Sequence, residues 1–351
     1  MSWGVERGAT EPSCERTLWN SKPRALPTIF FYRLVYHTLT YHDTSKYILR
    51  ICIADFSTTC TLVLKKRERA PGKRERRRQP TPSMPTVHVQ LQSGRSYVLH
   101  TPSTNSVPLP ALVAFHGRDW LPTRWLTKLD ALIEDKQFVG VYPLGLNRSW
   151  NLGHEPSTAN DVGFIDGLVA ELATRSEIHL RRGPYALGFS NGAGLVHRLL
   201  CERPGLFAAA AVISTPLLRG ARPPPHGPMV PIIQFNGMLD AIVPYAGGFS
   251  TVTGHTFEPA EESAALWAGQ SGCFRHGSRQ EPTLVTSHAG LRLEWRCRRH
   301  ALISTAGVRA VAAVVHIGLK QQGHVIDEAL REPALGVDGL YATAWRFVSA
   351  F

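Results

Sequence analysis

The sequence predicts an α/β fold with a mostly parallel central sheet that is covered by helices on both faces. Short apolar runs, such as residues 111–115 (ALVAF), are typical of strands buried on both faces. They alternate with segments such as residues 124–136, in which apolar residues recur on one helical face. Alternation of strand and helix indicates a parallel sheet, and active sites in such sheets lie at the carboxyl ends of the strands.

The elements follow in order from residue 84 onward. Residues 86–91 and 95–100 alternate apolar and polar side chains around Ser93-Gly94, which predicts an antiparallel hairpin. Further strands are predicted, as short apolar runs, at residues 111–115, 138–142, 185–188, 208–213, 230–235 and 308–319. Helices are predicted at residues 124–136, 161–175, 193–201, 259–269 and 340–351.

Most of the positive charge lies in one short run. The 351 residues include 39 Lys+Arg and 27 Asp+Glu, for a net charge of +12, and residues 65–78 (KKRERAPGKRERRR) alone contribute +7. A charge-dense, Pro-punctuated stretch cannot bury enough apolar surface to fold. We therefore predict a poorly ordered extension at residues 1–83 and a single domain at residues 84–351. Because residues 79–351 carry only +3, we expect a solvated charged tail and no nucleic-acid partner, although a nuclear signal stays an alternative.

The start of the chain is itself a hypothesis. Met84, one of four methionines, directly follows the basic run, so translation starting there would make residues 1–83 an over-extended gene model. The sequence shows no apolar run long enough to span a membrane and no recognisable secretory signal. A chain that starts at Met84 would thus be cytoplasmic. The composition excludes a wholly disordered chain, a collagen and a compact disulfide scaffold, and the six cysteines lack the CxxC pairing of a zinc site.

A candidate nucleophile lies where a predicted strand turns into a predicted helix, in Gly188-Phe189-Ser190-Asn191-Gly192. A serine in such a strained elbow needs small residues two positions before and after it, so that strand and helix can approach closely. The helix N-terminus also points free N–H groups at developing negative charge. The alternative is a Gly-rich turn with an incidental serine.

The order serine, acid, histidine then selects the partners of Ser190. Asp240 is the only aspartate between residues 191 and 326 and follows a predicted strand. Of the later histidines, His316 lies inside an apolar run, whereas His324 follows that run on a loop. We predict Asp240 as the acid and His324 as the base. A surface turn at Asp240 and another histidine as base remain alternatives; the six later histidines are His255, His276, His288, His300, His316 and His324.

The oxyanion hole requires two backbone donors. We assign one to the amide of Asn191 and the other to the amide of Gly117 or Arg118, which follow the predicted strand at residues 111–115. His116 precedes the serine in the chain and is predicted to be structural. These residues together predict acyl transfer with a Ser190 nucleophile.

The ordered motifs resemble those of the α/β-hydrolase esterases of the feruloyl esterase and polyhydroxybutyrate depolymerase group. The resemblance runs from about residue 95 to the end of the chain. Its segments are residues 95–99 (RSYVL), His116-Gly117, Val141-Tyr142-Pro143, Ser149-Trp150, residues 160–164 (NDVGF), Ser190-Asn191-Gly192, Asp240 before Val243-Pro244-Tyr245, and Gly323-His324. Arg118 after His-Gly is more similar to the secreted fungal feruloyl esterases than to the depolymerases. The segment Gln322-Gly323-His324-Val325 departs from the family in lacking a tryptophan, which affects the expected pocket shape.

The resemblance implies an α/β-hydrolase fold and hydrolysis of feruloyl esters on plant cell-wall polysaccharide by a serine carboxylesterase without cofactor or metal. It implies a disulfide between Cys273 and Cys297, and hence secretion. Trp120, Trp150 and Tyr245, with Arg118, are candidate pocket residues, although packing in the core or at the rim is the alternative for the aromatic ones. Three other functions remain: a depolymerase or general short-chain esterase, a catalytically silent binding protein, and a nucleic-acid binder.

Overall fold

The computed structural model describes residues 47–49, 64–66, 85–104, 106–155, 157–181, 183–225, 228, 230–270, 281–304 and 307–351. The chain divides into two units, Met1–Gln79 and Pro80–Phe351. In the first unit, strands β1 (Tyr47–Leu49) and β2 (Leu64–Lys66) pair antiparallel. Most of residues 1–83, including most of the basic run, lies outside the described residues. The extension and the Met84 start therefore stay predictions.

The second unit contains the central sheet. The strands of this unit are β3 (Thr86–Gln90), β4 (Ser96–His100), β5 (Ala111–Phe115), β6 (Val139–Pro143), β7 (Tyr185–Phe189), β8 (Ala210–Ile213), β9 (Ile232–Gly237), β10 (Gly248–Phe249), β11 (Thr256–Phe257), β12 (Thr283–Thr286), β13 (Gly290–Ser304), β14 (Gly307–Leu319), β15 (Arg331–Glu332) and β16 (Val337–Asp338). Its α-helices are α1 (Arg124–Glu134), α2 (Asp161–Leu172), α3 (Asn191–Glu202), α4 (Ala260–Gln270) and α5 (Leu340–Val348).

Ten of these strands form one sheet in the order β12-β13-β14-β9-β8-β7-β5-β6-β4-β3. The six strands from β14 to β6 run parallel, and antiparallel strands flank them on both sides. The mostly parallel sheet predicted from the sequence is confirmed. Since β5, β7, β9 and β14 are parallel, their carboxyl ends meet along one edge of the sheet, where the chain can bring distant residues together.

Helices cover both faces of the sheet because successive side chains of each buried strand point in opposite directions. In β5, Val113 and Phe115 face a core shared with α2, α3 and α4. Leu112 and Ala114 face the opposite core, which α1 and α5 complete. All five strand residues are buried, which accounts for the unbroken apolar run in the sequence.

Two strands of the sheet were not predicted. β12 and β13 pair antiparallel with each other, and β13 pairs with β14, at the sheet edge. β13 carries many polar residues (GLRLEWRCRRHALIS), since an edge hairpin is only partly covered and does not need a continuous apolar run. Within the described part of the chain, no helix is both long enough and apolar enough to cross a membrane.

Candidate active site

Ser190 occupies a strained turn between β7 and α3. Its φ of 54° and ψ of −123° lie in a region that non-glycine residues rarely adopt, and its amide donates to the carbonyl of Ile213 at 3.0 Å. A Cβ on Gly188 would lie 2.6 Å from the Cα of Ala193, and a Cβ on Gly192 would overlap the carbonyl oxygen of Phe115. Both flanking positions therefore require glycine for the close approach that the elbow pattern predicts.

Asp240 and His324 reach Ser190 from the ends of two other strands. His324 follows β14, and its Nε2 lies 2.7 Å from the Ser190 Oγ. Asp240 follows β9, and its Oδ2 lies 2.8 Å from the His324 Nδ1. The other carboxylate oxygen of Asp240 accepts the amides of Ile242 and Val243, both at 2.8 Å. Since a carboxylate only accepts, the His324 Nδ1 carries the proton of this bond and leaves Nε2 to accept the Ser190 hydroxyl.

The two segments chosen for the oxyanion donors lie beside Ser190. Asn191 is the first residue of α3, where the backbone amides have no partner within the helix. Gly117 follows β5, and a Cβ placed on it would lie 3.4 Å from the Ser190 Cβ. The backbone segments that carry these amides thus adjoin Ser190, and their role as oxyanion donors stays a prediction.

His116 is a buried structural residue at the same edge. Its Nδ1 lies 2.8 Å from the carbonyl of Gly117, and its Nε2 accepts the Gly145 amide at 3.0 Å. Burial lowers its pKa to about 4, despite the opposing hydrogen bond to Gly117 and the nearby Asp161. A neutral ring with both nitrogens engaged is suited to holding the loop and not to taking a proton from Ser190.

A cleft of about 330 Å³ opens over Ser190 and His324. Trp120 lines it and stacks on Phe189 with a ring-centroid distance of 4.4 Å. Arg118 also lines the cleft. The other lining residues are Gly117, Leu152, Glu155, Asn191, Thr215, Ile242, Val243, Val252, Thr253, His255, Phe257 and Val325.

Two predicted pocket residues lie away from this cleft. Trp150 is fully buried, and its Nε1 donates to the carbonyl of His116 at 2.9 Å. The Tyr245 hydroxyl hydrogen-bonds Glu261 at 3.0 Å and lies 2.8 Å from the His316 Nε2. The structure thus brings Arg118 and Trp120 to the cleft, whereas Trp150 and Tyr245 pack behind it.

Sequence reasoning missed a buried polar pair in the cleft. The His255 Nε2 lies 2.7 Å from the Glu155 Oε1, and the side chains are 5% and 1% exposed. The sequence offers His255 only as an alternative base. These residues are 100 positions apart, so no spacing pattern in the sequence connects them.

The last feature predicted from the resemblance is a disulfide bond. Cys273 and the side chain of Cys297 lie outside the described residues, so their disulfide stays a prediction. Cys201 is a free thiol. Among the described residues, no group of three or more His, Cys, Asp or Glu side chains is arranged to hold a metal ion.

The chain is similar in sequence to known esterases. Feruloyl esterase B of Piromyces equi is 28% identical over 205 residues, 54% of this chain and 38% of that protein. Feruloyl esterase C of Emericella nidulans is 31% identical over 110 residues, 31% of this chain and 37% of that protein. The aligned part thus spans well under half the length of these relatives. No protein-family model matches the chain.

A solved acetyl xylan esterase from Aspergillus awamori superposes with a TM-score of 0.52 and 14% identity, over 76% of this chain and all of that chain. This likeness concerns the fold. The α/β-hydrolase fold predicted from the resemblance is confirmed. The resemblance to feruloyl esterases, first seen in short motifs, is confirmed over longer aligned segments.

Proposed function

We propose that the protein is a serine carboxylesterase of feruloyl esterase type. The observation that carries this proposal is the continuous hydrogen-bonded series from Ser190 through His324 to Asp240, of which Ser190 and His324 line a cleft. The feruloyl esterases to which the chain is similar support it.

The proposed reaction is acyl transfer in two steps. The His324 Nε2 takes the hydroxyl proton of Ser190 while Oγ bonds to the ester carbonyl carbon, and the oxyanion accepts hydrogen bonds from the amide of Asn191 and from that of Gly117 or Arg118. Collapse breaks the bond to the alcohol, which leaves with the proton from the imidazolium. Water then attacks the acyl-serine with the same base, which releases the carboxylic acid and restores Ser190. No step requires a cofactor or a metal.

The cleft favours a flat acyl group. Trp120 and Phe189, which stack on each other, contribute aromatic side chains to the cleft wall, and Val252 and Val325 add apolar surface. A wall of aromatic and apolar side chains suits a planar hydroxycinnamoyl group. Hydrolysis of such esters on plant polysaccharide rests on the resemblance alone, and a depolymerase-like or general short-chain esterase shares the same reacting groups.

One assay separates these activities. Methyl ferulate and p-nitrophenyl butyrate are each offered to the full chain, to Ser190→Ala and to the control Ser176→Ala, which alters an exposed serine. We expect hydrolysis of methyl ferulate by the full chain and the control, and none by Ser190→Ala. A preference for the butyrate favours the short-chain esterase. Hydrolysis of neither ester, or hydrolysis that survives Ser190→Ala, would rule out the proposal and favour a silent binding protein.

Secretion is a separate proposal, which rests on the resemblance and the implied pair of cysteines. Alkylation of the native protein before and after reduction, followed by peptide mass measurement, tests the bond between Cys273 and Cys297. A linked peptide supports an oxidising compartment, whereas two alkylated thiols without reduction contradict it.

A further inference from the structure

Glu155 is a buried carboxylate that no step of the proposed reaction uses. It lies in the loop before α2, its side chain is 1% exposed, and it lines the cleft. A carboxylate in such a place is costly unless several donors satisfy it. Five donors surround Glu155, and they come from four separate segments of the chain.

The two oxygens of Glu155 have different partners. Oε2 accepts the backbone amides of Leu152 at 2.6 Å and His154 at 3.2 Å, which fixes the carboxylate within its own loop. Oε1 faces three distant groups: the His255 Nε2 at 2.7 Å, the Asn191 Nδ2 at 3.3 Å and the Arg118 Nη2 at 3.4 Å. One oxygen therefore joins the start of α3, the loop after β5 and the loop that carries His255.

Two of these partners are the residues beside the oxyanion position. Asn191 supplies one proposed amide donor, and Arg118 or its neighbour Gly117 supplies the other. The Asn191 side chain is also held by the backbone of Trp150, whose amide donates at 2.7 Å and whose carbonyl accepts at 3.0 Å. The side chains of Asn191 and Arg118, one from each segment, thus both contact Glu155.

We propose that Glu155 is a positioning residue that holds the two halves of the oxyanion hole at a fixed separation. The proposal rests on the proposed esterase function and deepens it. Preorganised donors stabilise a transition state because they need no reorganisation as charge develops. A carboxylate that joins both donor segments supplies such preorganisation without touching the substrate.

The charge state of Glu155 supports this role. Burial opposes ionisation, but the hydrogen bonds from His255, Leu152 and His154 outweigh it and lower the pKa of the carboxyl group. Glu155 is therefore an anion at neutral pH. Hydrogen bonds to an ionised acceptor are shorter and stronger than those between neutral groups.

Glutamine at position 155 tests this role because all five groups that contact the carboxylate donate hydrogen bonds to it. If its amide nitrogen faces Leu152 and His154, it meets two backbone N–H groups. If it faces the other way, it meets the donors of Arg118 and Asn191, and only His255 can adapt by changing tautomer. Glu155→Gln therefore loosens the junction at nearly constant volume.

The experiment compares Glu155→Gln with the full chain on whichever ester the latter hydrolyses. We expect kcat to fall about tenfold to a hundredfold, and KM to change by less than about threefold. A trifluoromethyl ketone, which forms an oxyanion on Ser190, should lose affinity by the same factor as kcat/KM, whereas the matching methyl ketone should not. The control is Glu294→Gln, which also removes the charge of a carboxylate. Glu294 lies on β13, where it pairs with Arg292 at 2.6 Å, and it does not line the cleft.

A second variant keeps the test decisive if Glu155→Gln does not fold. Arg118→Ala removes one partner of Glu155 but keeps the backbone amide, and its side chain is 31% exposed, so the fold should survive. We expect a smaller loss of kcat and the same selective loss of trifluoromethyl ketone affinity. If KM rises in Arg118→Ala while kcat is unchanged, Arg118 acts in substrate binding and the proposal is overturned. Unchanged kcat in a folded Glu155→Gln overturns it too, while an inactive parent chain overturns the esterase function and this inference together.

Discussion

The carboxylate of Asp240 and the imidazole of His324 are joined at 2.8 Å across 84 residues of sequence. The second oxygen of Asp240 accepts the amides of Ile242 and Val243, which prevents the carboxylate from turning. The His324 carbonyl in turn accepts the Ser214 hydroxyl at 2.6 Å. Both partners are therefore anchored by groups outside their own bond, and the ring presents Nε2 to Ser190.

Asp240→Asn should leave the fold intact and nearly abolish hydrolysis. The asparagine oxygen can still accept the two loop amides, but its NH₂ group would then face the His324 Nδ1. The ring would have to carry its proton on Nε2 and could not accept the Ser190 proton. We expect kcat to fall by about 10³- to 10⁴-fold with little change in KM or melting temperature. Asp166→Asn, which affects an ion pair with Arg203 on the surface, is the control, and a fully active Asp240→Asn would mean that another acid orients His324.

Gly192→Ala tests the close approach at the elbow. The new methyl group would overlap the carbonyl oxygens of Phe115 and His116 at the end of β5. Backbone atoms cannot move aside as a flexible side chain can, so we expect a loss of about 1–3 kcal/mol in the free energy of unfolding and a loss of activity. Urea unfolding measures the first effect.

The matched control is Gly167→Ala, also in a helix. A Cβ there meets nothing within 4 Å, so alanine should stabilise α2 by about 0.5–1 kcal/mol. Equal effects of the two substitutions would show that crowding at the elbow has no energetic consequence.

Much of the fold could be predicted because a doubly covered sheet needs continuous apolar strands. The run at Ala111–Phe115 was located to the residue. The strand Gly290–Ser304, next to the edge strand β12, was missed because a strand covered on one side tolerates charge.

The candidate site likewise has residues that the sequence predicts and residues that it does not. Asp240 could be predicted because the sequence contains no other aspartate between residues 191 and 326. The elbow glycines could be predicted because the strand and the helix must nearly touch. Trp150 and Tyr245 were expected at the cleft by residue type alone, yet type does not determine which face of a loop a ring occupies. The link between Glu155 and His255 depends on two loops meeting in space, and no local pattern encodes that.

Acid should destabilise the protein through its buried histidines. Burial lowers the pKa of His197 to about 4, as it does that of His116. Between pH 4 and 6.5 the unfolded chain therefore binds protons that the folded chain does not, so the free energy of unfolding decreases as pH falls. Each histidine should contribute a slope of about 1.4 kcal/mol per pH unit in this window.

Urea midpoints measured at several pH values between 7.5 and 4.5 check this slope. His197→Gln, which removes one buried imidazole, should flatten the slope although it also lowers stability. His88→Gln changes an exposed residue of β3 and should leave the slope as it is. A stability that stays constant over this range would contradict the expected burial of neutral imidazoles.

Trp120 and Trp150 should respond differently to substitution because one lines the cleft and the other fills the core. Trp120 stacks on Phe189 beside the reacting groups, so Trp120→Ala should raise KM for methyl ferulate about tenfold and change KM for p-nitrophenyl acetate little. Trp150 is fully buried, so Trp150→Phe should lower the melting temperature and affect both esters alike. Steady-state kinetics with the two esters, together with thermal melts, measure these effects. If Trp120→Ala raises KM for both esters equally, Trp120 does not select the acyl group.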